Sequence, residues 1–286
     1  MATIINGKEV SAYCRGKIAE QSKELSSQGI TPKLAVILVG NDPASAVYVR
    51  NKQKACIETG IEPLQLTFGE DMTEAELLKL IDELNADETV DGILVQLPLP
   101  KHIRASEVIA RIDPSKDVDA FTYENVGRIV DGKYGFLPCT PAGVMKLLEY
   151  YSVDPTGKNC VVVGRSNIVG KPMALLLLNA NATVTICHSK TVNIAKLTRD
   201  ADILVVAVGR PGFITADMVK EGAVVIDVGI NRCEDGKLRG DVDYDAVFGK
   251  ASMITPVPGG VGPMTITMLM QNTVNSAKNR LLRTKK

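Results

Sequence analysis

Short, nearly continuous apolar runs alternate with segments of helical period along most of this chain. Residues 33–39 (KLAVILV) form the first such run and stop at Gly40. Residues 45–59 have helical character and end at Gly60. A second strand is predicted over 63–68 and a third over 92–97 (GILVQL), ended by Pro98 and Pro100. Between these two strands, 73–85 place Leu77, Leu80, Ile81 and Leu84 on one helical face, with Thr73 and Glu76 spaced as a capping box. Strands that are apolar throughout, separated by helices, predict parallel pairing covered on both faces.

A loop-rich passage follows, and a helix opens at Thr140-Pro141, a favourable N-cap and first-turn pair. From Gly157 the alternation resumes, with strands over 159–163, 183–187, 203–208 and 223–228 and a helix over 169–179. The Pro/Gly-rich stretch 255–263 precedes a final helix over 263–282. The pattern predicts an α/β protein with two α/β layers, the second of Rossmann type.

Length and composition narrow the classes. At roughly 150 residues per domain, 286 residues suit two domains. Lys+Arg and Asp+Glu are both 33, so the net charge is zero and gives no bulk attraction for nucleic acid or an anionic membrane. Aromatic residues are 4% and tryptophan is absent, which removes stacking platforms for single-stranded nucleic acid. The two histidines, His102 and His188, are too few for a His-rich metal site. The six cysteines form no C-x-x-C pair, so no metal site is expected and the thiols are read as buried in a reducing cytoplasm. The N-terminus lacks a basic segment followed by a long apolar one, and no run approaches the roughly 18 apolar residues of a membrane span. The basic tail, 278–286, is read as a solvated helix end.

Two clusters carry chemistry. In the first, Gly164-Arg-Ser-Asn-Ile-Val-Gly170 links a predicted strand to a predicted helix, where backbone N–H groups and the helix N-terminus favour a pyrophosphate. The glycine pattern is imperfect, because Ser166 takes the second glycine place and the third glycine arrives one residue late. An NAD site usually ends its next strand with an acid. Here 183–187 is followed by His188-Ser189-Lys190-Thr191, and Arg165 sits in the loop itself, which suits the 2′-phosphate of NADP. In the second cluster, Tyr48 and Lys52 are four apart on one helix face. Alone, that pair reads as a phenol over a lysine stem. A short-chain dehydrogenase would place it downstream of the nucleotide loop, whereas here it lies far upstream.

Taken together, the segments 39–52 (VGNDPASAVYVRNK), 91–100 (DGILVQLPLP), 114–120 (PSKDVDA), 138–143 (PCTPAG), 164–172 (GRSNIVGKP), 228–232 (VGINR) and 256–265 (PVPGGVGPMT) resemble the bifunctional methylenetetrahydrofolate dehydrogenase/methenyltetrahydrofolate cyclohydrolase family over nearly the whole chain. The resemblance implies a folate-binding catalytic domain over 1–139, onto which the C-terminal helix 264–286 packs back, and an NADP-binding Rossmann-type domain over 140–263. It implies Lys52 as the catalytic lysine, Tyr48 as the ring on the folate, Gln96 as the lysine's hydrogen-bond partner and Asp119 as the carboxylate holding the pterin. Gly164, Arg165, Ser166, Ser189 and Ile230 match cofactor contacts, and Pro258, Gly259 and Gly260 match backbone facing the folate. Tetrahydrofolate derivatives as substrates and a homodimer follow from the same resemblance. One departure stands out: the family usually has glycine where this chain has Ala120.

The implied chemistry is physically consistent. Oxidation of the one-carbon bridge between two nitrogens is chiefly a matter of positioning. Hydrolysis of the resulting methenyl cation needs protons moved, which a lysine does near neutral pH only if its pKa, ordinarily about 10.4, falls through burial and a nearby cationic substrate. The alternatives are an oxidoreductase of small acids resembling shikimate dehydrogenases, a non-catalytic folate-binding paralogue, and a dehydrogenase lacking the second activity.

Overall fold

A computed structural model describes residues 1–284; Lys285 and Lys286, the end of the basic tail, lie outside the described residues. Two compact units emerge. One comprises Tyr13–Cys139 and the chain from Ile266 onward, the other Met1–Ala12 and Thr140–Thr265.

The first unit is built on a three-stranded parallel sheet in the order β3 (Glu62–Phe68), β2 (Lys33–Val39), β4 (Gly92–Val95). The central β2 is buried from Leu34 to Val39, as its unbroken apolar run requires. Helices α2 (Pro43–Glu58) and α3 (Glu74–Ala86) fill the crossovers between the strands. In α3, Leu77, Ile81 and Leu84 are buried and Leu80 half-buried, packing with Ala35, Ile37 and Ile93 of the sheet. Each such fully buried aliphatic side chain contributes about 1.5–3 kcal/mol. The capping box is present as the sequence predicts: Thr73 Oγ1 accepts from Glu76 N, and the Glu76 carboxylate accepts from Thr73 N.

The passage between β4 and residue 139 is less irregular than the sequence suggests. It holds α4 (Ala105–Arg111) and α5 (Tyr123–Val130). A long helix near the N-terminus, α1 (Gly7–Ser27), is also absent from the sequence reading. Its start is capped by Asn6, whose side-chain oxygen accepts from Lys8 N and Glu9 N. The next helix, α6 (Cys139–Tyr150), begins before Thr140, so Thr140 is a helical residue and not the cap.

The second unit carries a six-stranded sheet, parallel throughout, in the order β1 (Thr3–Ile4), β11 (Met253–Ile254), β8 (Val224–Asp227), β7 (Ile203–Val206), β5 (Asn159–Val163), β6 (Thr183–Cys187). The chain runs from β5 to β6 on one side and then to β7 on the other. The order therefore reverses at β5, and open α/β sheets bind ligands beyond the strand ends at such a point. The helix α7 (Gly170–Asn179) follows β5, the short helix α8 (Ile194–Thr198) comes after β6, and α9 (Tyr244–Phe248) precedes β11. After β8 comes an antiparallel pair, β9 (Asn231–Arg232) with β10 (Leu238–Arg239). One boundary differs from the sequence expectation. Residues 1–12 group with this unit, because Thr3 and Ile4 pair with Met253 and Ile254 at the sheet edge. The final helix, α10 (Val261–Thr284), starts two residues earlier than predicted.

All six cysteines are free, and five are buried. Among the described residues no helix is long and apolar enough to cross a membrane.

Candidate active site

Three residues predicted from separate segments converge in the first unit. Lys52 lies on α2, Gln96 directly follows β4, and Asp119 sits in the turn after a buried Lys116-Asp117-Val118 segment. Lys52 Nζ donates to Gln96 Oε1 at 2.8 Å. The other end of that amide is engaged, since Gln96 Nε2 donates to Leu97 O at 2.6 Å. Gln96 N donates to Ile37 O and continues the ladder for one residue past β4. The backbone thus aims the amide, and the amide presents its oxygen to the amine.

Burial pulls the Lys52 amine below the ordinary lysine range. The nearby Asp119 carboxylate, Cys139 and Cys56 oppose that pull. Burial pushes Asp119 up, against the lysine's charge and a hydrogen bond from Cys139. A desolvated amine next to a neutral amide oxygen is suited to moving protons near neutrality. Tyr48, one turn before Lys52, is 44% exposed, which leaves an aromatic side chain accessible to a flat ligand.

The rest of the Asp119 segment is structural. Lys116 Nζ donates to Leu84 O, Asn85 O and Asp87 O, and Asp117 Oδ2 accepts from Thr122 N and Asn125 Nδ2. Only Asp119 among these charged groups is left for a ligand. Ala120 beside it is buried at φ +57°, a left-handed conformation that glycine adopts freely and alanine at a cost of roughly 1–2 kcal/mol.

Two residues of the site are missing from the sequence reading. The thiol of Cys139 faces both Asp119 and Lys52, and burial together with the Asp119 charge holds it well above the usual thiol range. Asn272 on α10 donates to Val118 O and Leu137 O, each at 2.8 Å, and so ties down the segments that precede Asp119 and Cys139. Cys139 lies in the quoted PCTPAG segment, whereas Asn272 carries no local signal.

The remaining predicted residues lie in the second unit, at the C-terminal ends of its strands. Gly164 follows β5 at φ +138°, and a Cβ there would stand 2.3 Å from Ala207 O. A Cβ on Gly170 would stand 2.3 Å from Gly164 O, so the late third glycine lets α7 close against the loop. Ser166 does more than replace a glycine: its Oγ accepts from Val169 N and Gly170 N at the start of α7. Arg165 and Ser189 are both exposed, after the paired strands β5 and β6, and Gly164 N donates to Cys187 O between them. Thr191 Oγ1 accepts from His188 N and Thr191 N donates to His188 O, which shapes the turn bearing Ser189. No carboxylate stands at the end of β6. Ile230 is 44% exposed after β8. Pro258, Gly259 and Gly260 precede α10, and a Cβ on Gly260 would meet Pro256 O at 2.6 Å.

Known protein families match both units. The catalytic-domain model of tetrahydrofolate dehydrogenase/cyclohydrolase matches residues 5–119, and its NAD(P)-binding-domain model matches 138–281. The chain belongs to this family. A protein from Campylobacter hominis named Bifunctional protein FolD is 58% identical over 282 residues, covering 99% of each chain. The crystal structure of the bifunctional FolD enzyme from Campylobacter jejuni superposes with a TM-score of 0.96 at 55% identity, covering 98% of this chain and all of the other. The Trypanosoma brucei FolD structure, complexed with NADP cofactor and an inhibitor, gives 0.93 at 38% identity over 98% of each chain. Family membership over the whole length sets aside the shikimate-dehydrogenase alternative, and it fits a two-domain α/β enzyme with a Rossmann-type cofactor domain.

Proposed function

We propose that this chain oxidises 5,10-methylenetetrahydrofolate with NADP and hydrolyses the 5,10-methenyltetrahydrofolate so formed to 10-formyltetrahydrofolate. The observation that carries the reading is the desolvated Lys52 amine on the Gln96 amide oxygen, within the influence of Asp119.

NADP, when bound, accepts the hydride leaving the one-carbon bridge. The Gly164–Gly170 turn fits its pyrophosphate, since glycine at both positions lets the loop close tightly between β5 and the N-terminus of α7, where backbone N–H groups favour an anion. Arg165 and Ser189 supply a cation and a hydroxyl for the 2′-phosphate. Ile230 supplies apolar surface. On the folate side, Tyr48 stacks on the ring system and Asp119 accepts from the aminopyrimidine edge.

Hydrolysis is the step that needs Lys52. Its neutral amine takes a proton from water as the new C–O bond forms on the methenyl carbon. A proton then passes from the resulting hydroxyl to the ring nitrogen as the C–N bond breaks, and one proton leaves to solvent. Gln96 orients the amine without adding a negative charge that would raise its pKa.

The enzyme is read as cytoplasmic, in keeping with its six free cysteines, and as a homodimer. A coupled spectroscopic assay with methylenetetrahydrofolate and NADP or NAD tests the function. Growth of NADPH absorbance, with methenyltetrahydrofolate rising and decaying, is the expected record. No folate-dependent reduction would leave a non-catalytic binding protein, and methenyltetrahydrofolate that never decays would leave a dehydrogenase alone.

A further inference from the structure

Away from Lys52, the second unit contains a carboxylate that the mechanism does not use. Asp241, just after β10, has no exposed surface. Its Oδ2 accepts from Val208 N at 2.6 Å and Gly209 N at 2.9 Å. Its Oδ1 accepts from Arg210 N at 2.8 Å and from Asn231 Nδ2 at 2.9 Å. Val208, Gly209 and Arg210 follow β7, and Asn231 follows β8, the adjacent parallel strand. One side chain therefore fastens two neighbouring strand-end loops.

Four donors on one side chain match the acceptor capacity of a carboxylate. Its two oxygens offer about four acceptor positions, whereas an asparagine offers two and turns donors toward the rest. Buried charge is costly unless it is fully hydrogen-bonded, and here it is. The surroundings make room for it. A Cβ on Gly229 would stand 2.3 Å from Asp241 Cγ, so the residue before Ile230 is glycine because the carboxylate occupies that space. Asp241 is itself held, since its N donates to Asp227 Oδ1 at 2.9 Å and its O accepts from Ile214 N at 3.0 Å.

Both fastened loops border the cofactor residues. Ala207, immediately before the bound amides of 208–210, presents the carbonyl that packs against Gly164. Ile230 is flanked by Gly229, which makes way for Asp241, and Asn231, which bonds to it. We propose that Asp241 is a positioning residue for the dinucleotide, holding the loop that backs Gly164 and the loop that carries Ile230 in binding geometry before the cofactor arrives. The proposal rests on the reading of this unit as the NADP site. Asp241 touches no ligand; it acts through the two loops.

The test compares the parent with Asp241→Asn and with Asn231→Ala, the second removing the side-chain link to Asp241, together with a longer bond to Arg239 O, at a half-exposed position. NADP dissociation constants come from calorimetry, and KM for NADP and for methylenetetrahydrofolate are measured separately. Hydrolysis of methenyltetrahydrofolate without dinucleotide reports whether the chain is folded. The expected result is a roughly ten- to hundredfold rise in Kd and KM for NADP in Asp241→Asn and a smaller rise in Asn231→Ala. KM for the folate and the hydrolysis rate should stay near the parent values. Unchanged NADP affinity in both variants overturns the proposal. So does a parallel fall of NADP binding and hydrolysis in Asn231→Ala, the mark of a merely structural role. A parent that binds no NADP would overturn the cofactor reading itself, a separate and recognisable failure.

Discussion

Lys52 and Gln96, forty-four positions apart in sequence, meet at 2.8 Å because Lys52 lies midway along the helix that follows β2, and Gln96 directly follows β4, the strand paired with β2. The partner is an amide and not a carboxylate, so geometry is fixed while the amine stays free to lose its proton. That choice separates the two activities. Oxidation needs no proton removed by the enzyme, whereas hydrolysis does.

Lys52→Met keeps the aliphatic stem and deletes the amine. Cyclohydrolase activity should fall by about 10²–10⁴-fold, the usual contribution of general acid–base catalysis. Dehydrogenase activity should persist at a reduced level, with methenyltetrahydrofolate accumulating. The ratio of the two rates on one preparation is the quantity to measure. Hydrolysis at the parent rate would make Lys52 a packing residue.

Gln96→Glu tests the electrostatic half of the same pair. A carboxylate opposite the amine favours the charged form and raises its pKa. The working form is the neutral amine, so activity rises with pH through that pKa. The rising limb of the cyclohydrolase pH profile should therefore move to higher pH in the variant. An unmoved limb would mean that another group sets it.

How much of this was legible in the sequence depended on whether the signal was local. Lys33–Val39 and Asn159–Val163 match their predicted spans because a strand buried on both faces is a nearly unbroken apolar run. Thr183–Cys187 matches as well, although it is the sheet's edge strand and only Cys187 in it is buried. Helix α1 is hard to read from sequence because its buried stripe, Val10, Cys14, Ile18 and Leu25, is interrupted by a buried Ser22. The Asn6 cap was the available signal. The grouping of residues 1–12 could not be read locally, since it comes from the pairing of Thr3 and Ile4 with a strand some 250 positions away. No local pattern marks Gln96 or Asp119; the family resemblance does. Asn272 and Asp241 act through partners remote in sequence or through backbone amides, and no spacing rule exposes them.

Packing under the site offers a stability test. Leu77 is fully buried between α3 and the sheet. Leu77→Ala should cost about 2–5 kcal/mol, the transfer term plus the cavity left behind. Urea unfolding followed by circular dichroism measures it, because the chain has no tryptophan to report fluorescence. A loss under about 1 kcal/mol would mean that the helix repacks over the gap.

Cofactor choice is tested at Arg165. The end of β6 offers no carboxylate for a ribose hydroxyl pair, and Arg165 and Ser189 stand exposed on the loops after β5 and β6, neighbours in the sheet. An arginine contact to a phosphate is charge-assisted and worth roughly 1.5–3 kcal/mol, which converts to about a ten- to hundredfold change in affinity. Arg165→Ala should weaken NADP by that factor and leave NAD nearly unchanged, because NAD lacks the phosphate the guanidinium would meet. Ser189→Ala should show the same preference with a smaller effect, since a hydroxyl gives one uncharged hydrogen bond. Raising ionic strength should weaken NADP binding to the parent more than to Arg165→Ala, as exposed charge pairs are screened. Dissociation constants for both dinucleotides, at two salt concentrations, decide the matter. Equal weakening of NAD and NADP would assign Arg165 to the shared pyrophosphate, and the discrimination would then have to come from Ser189, Lys190 and the turn that holds them.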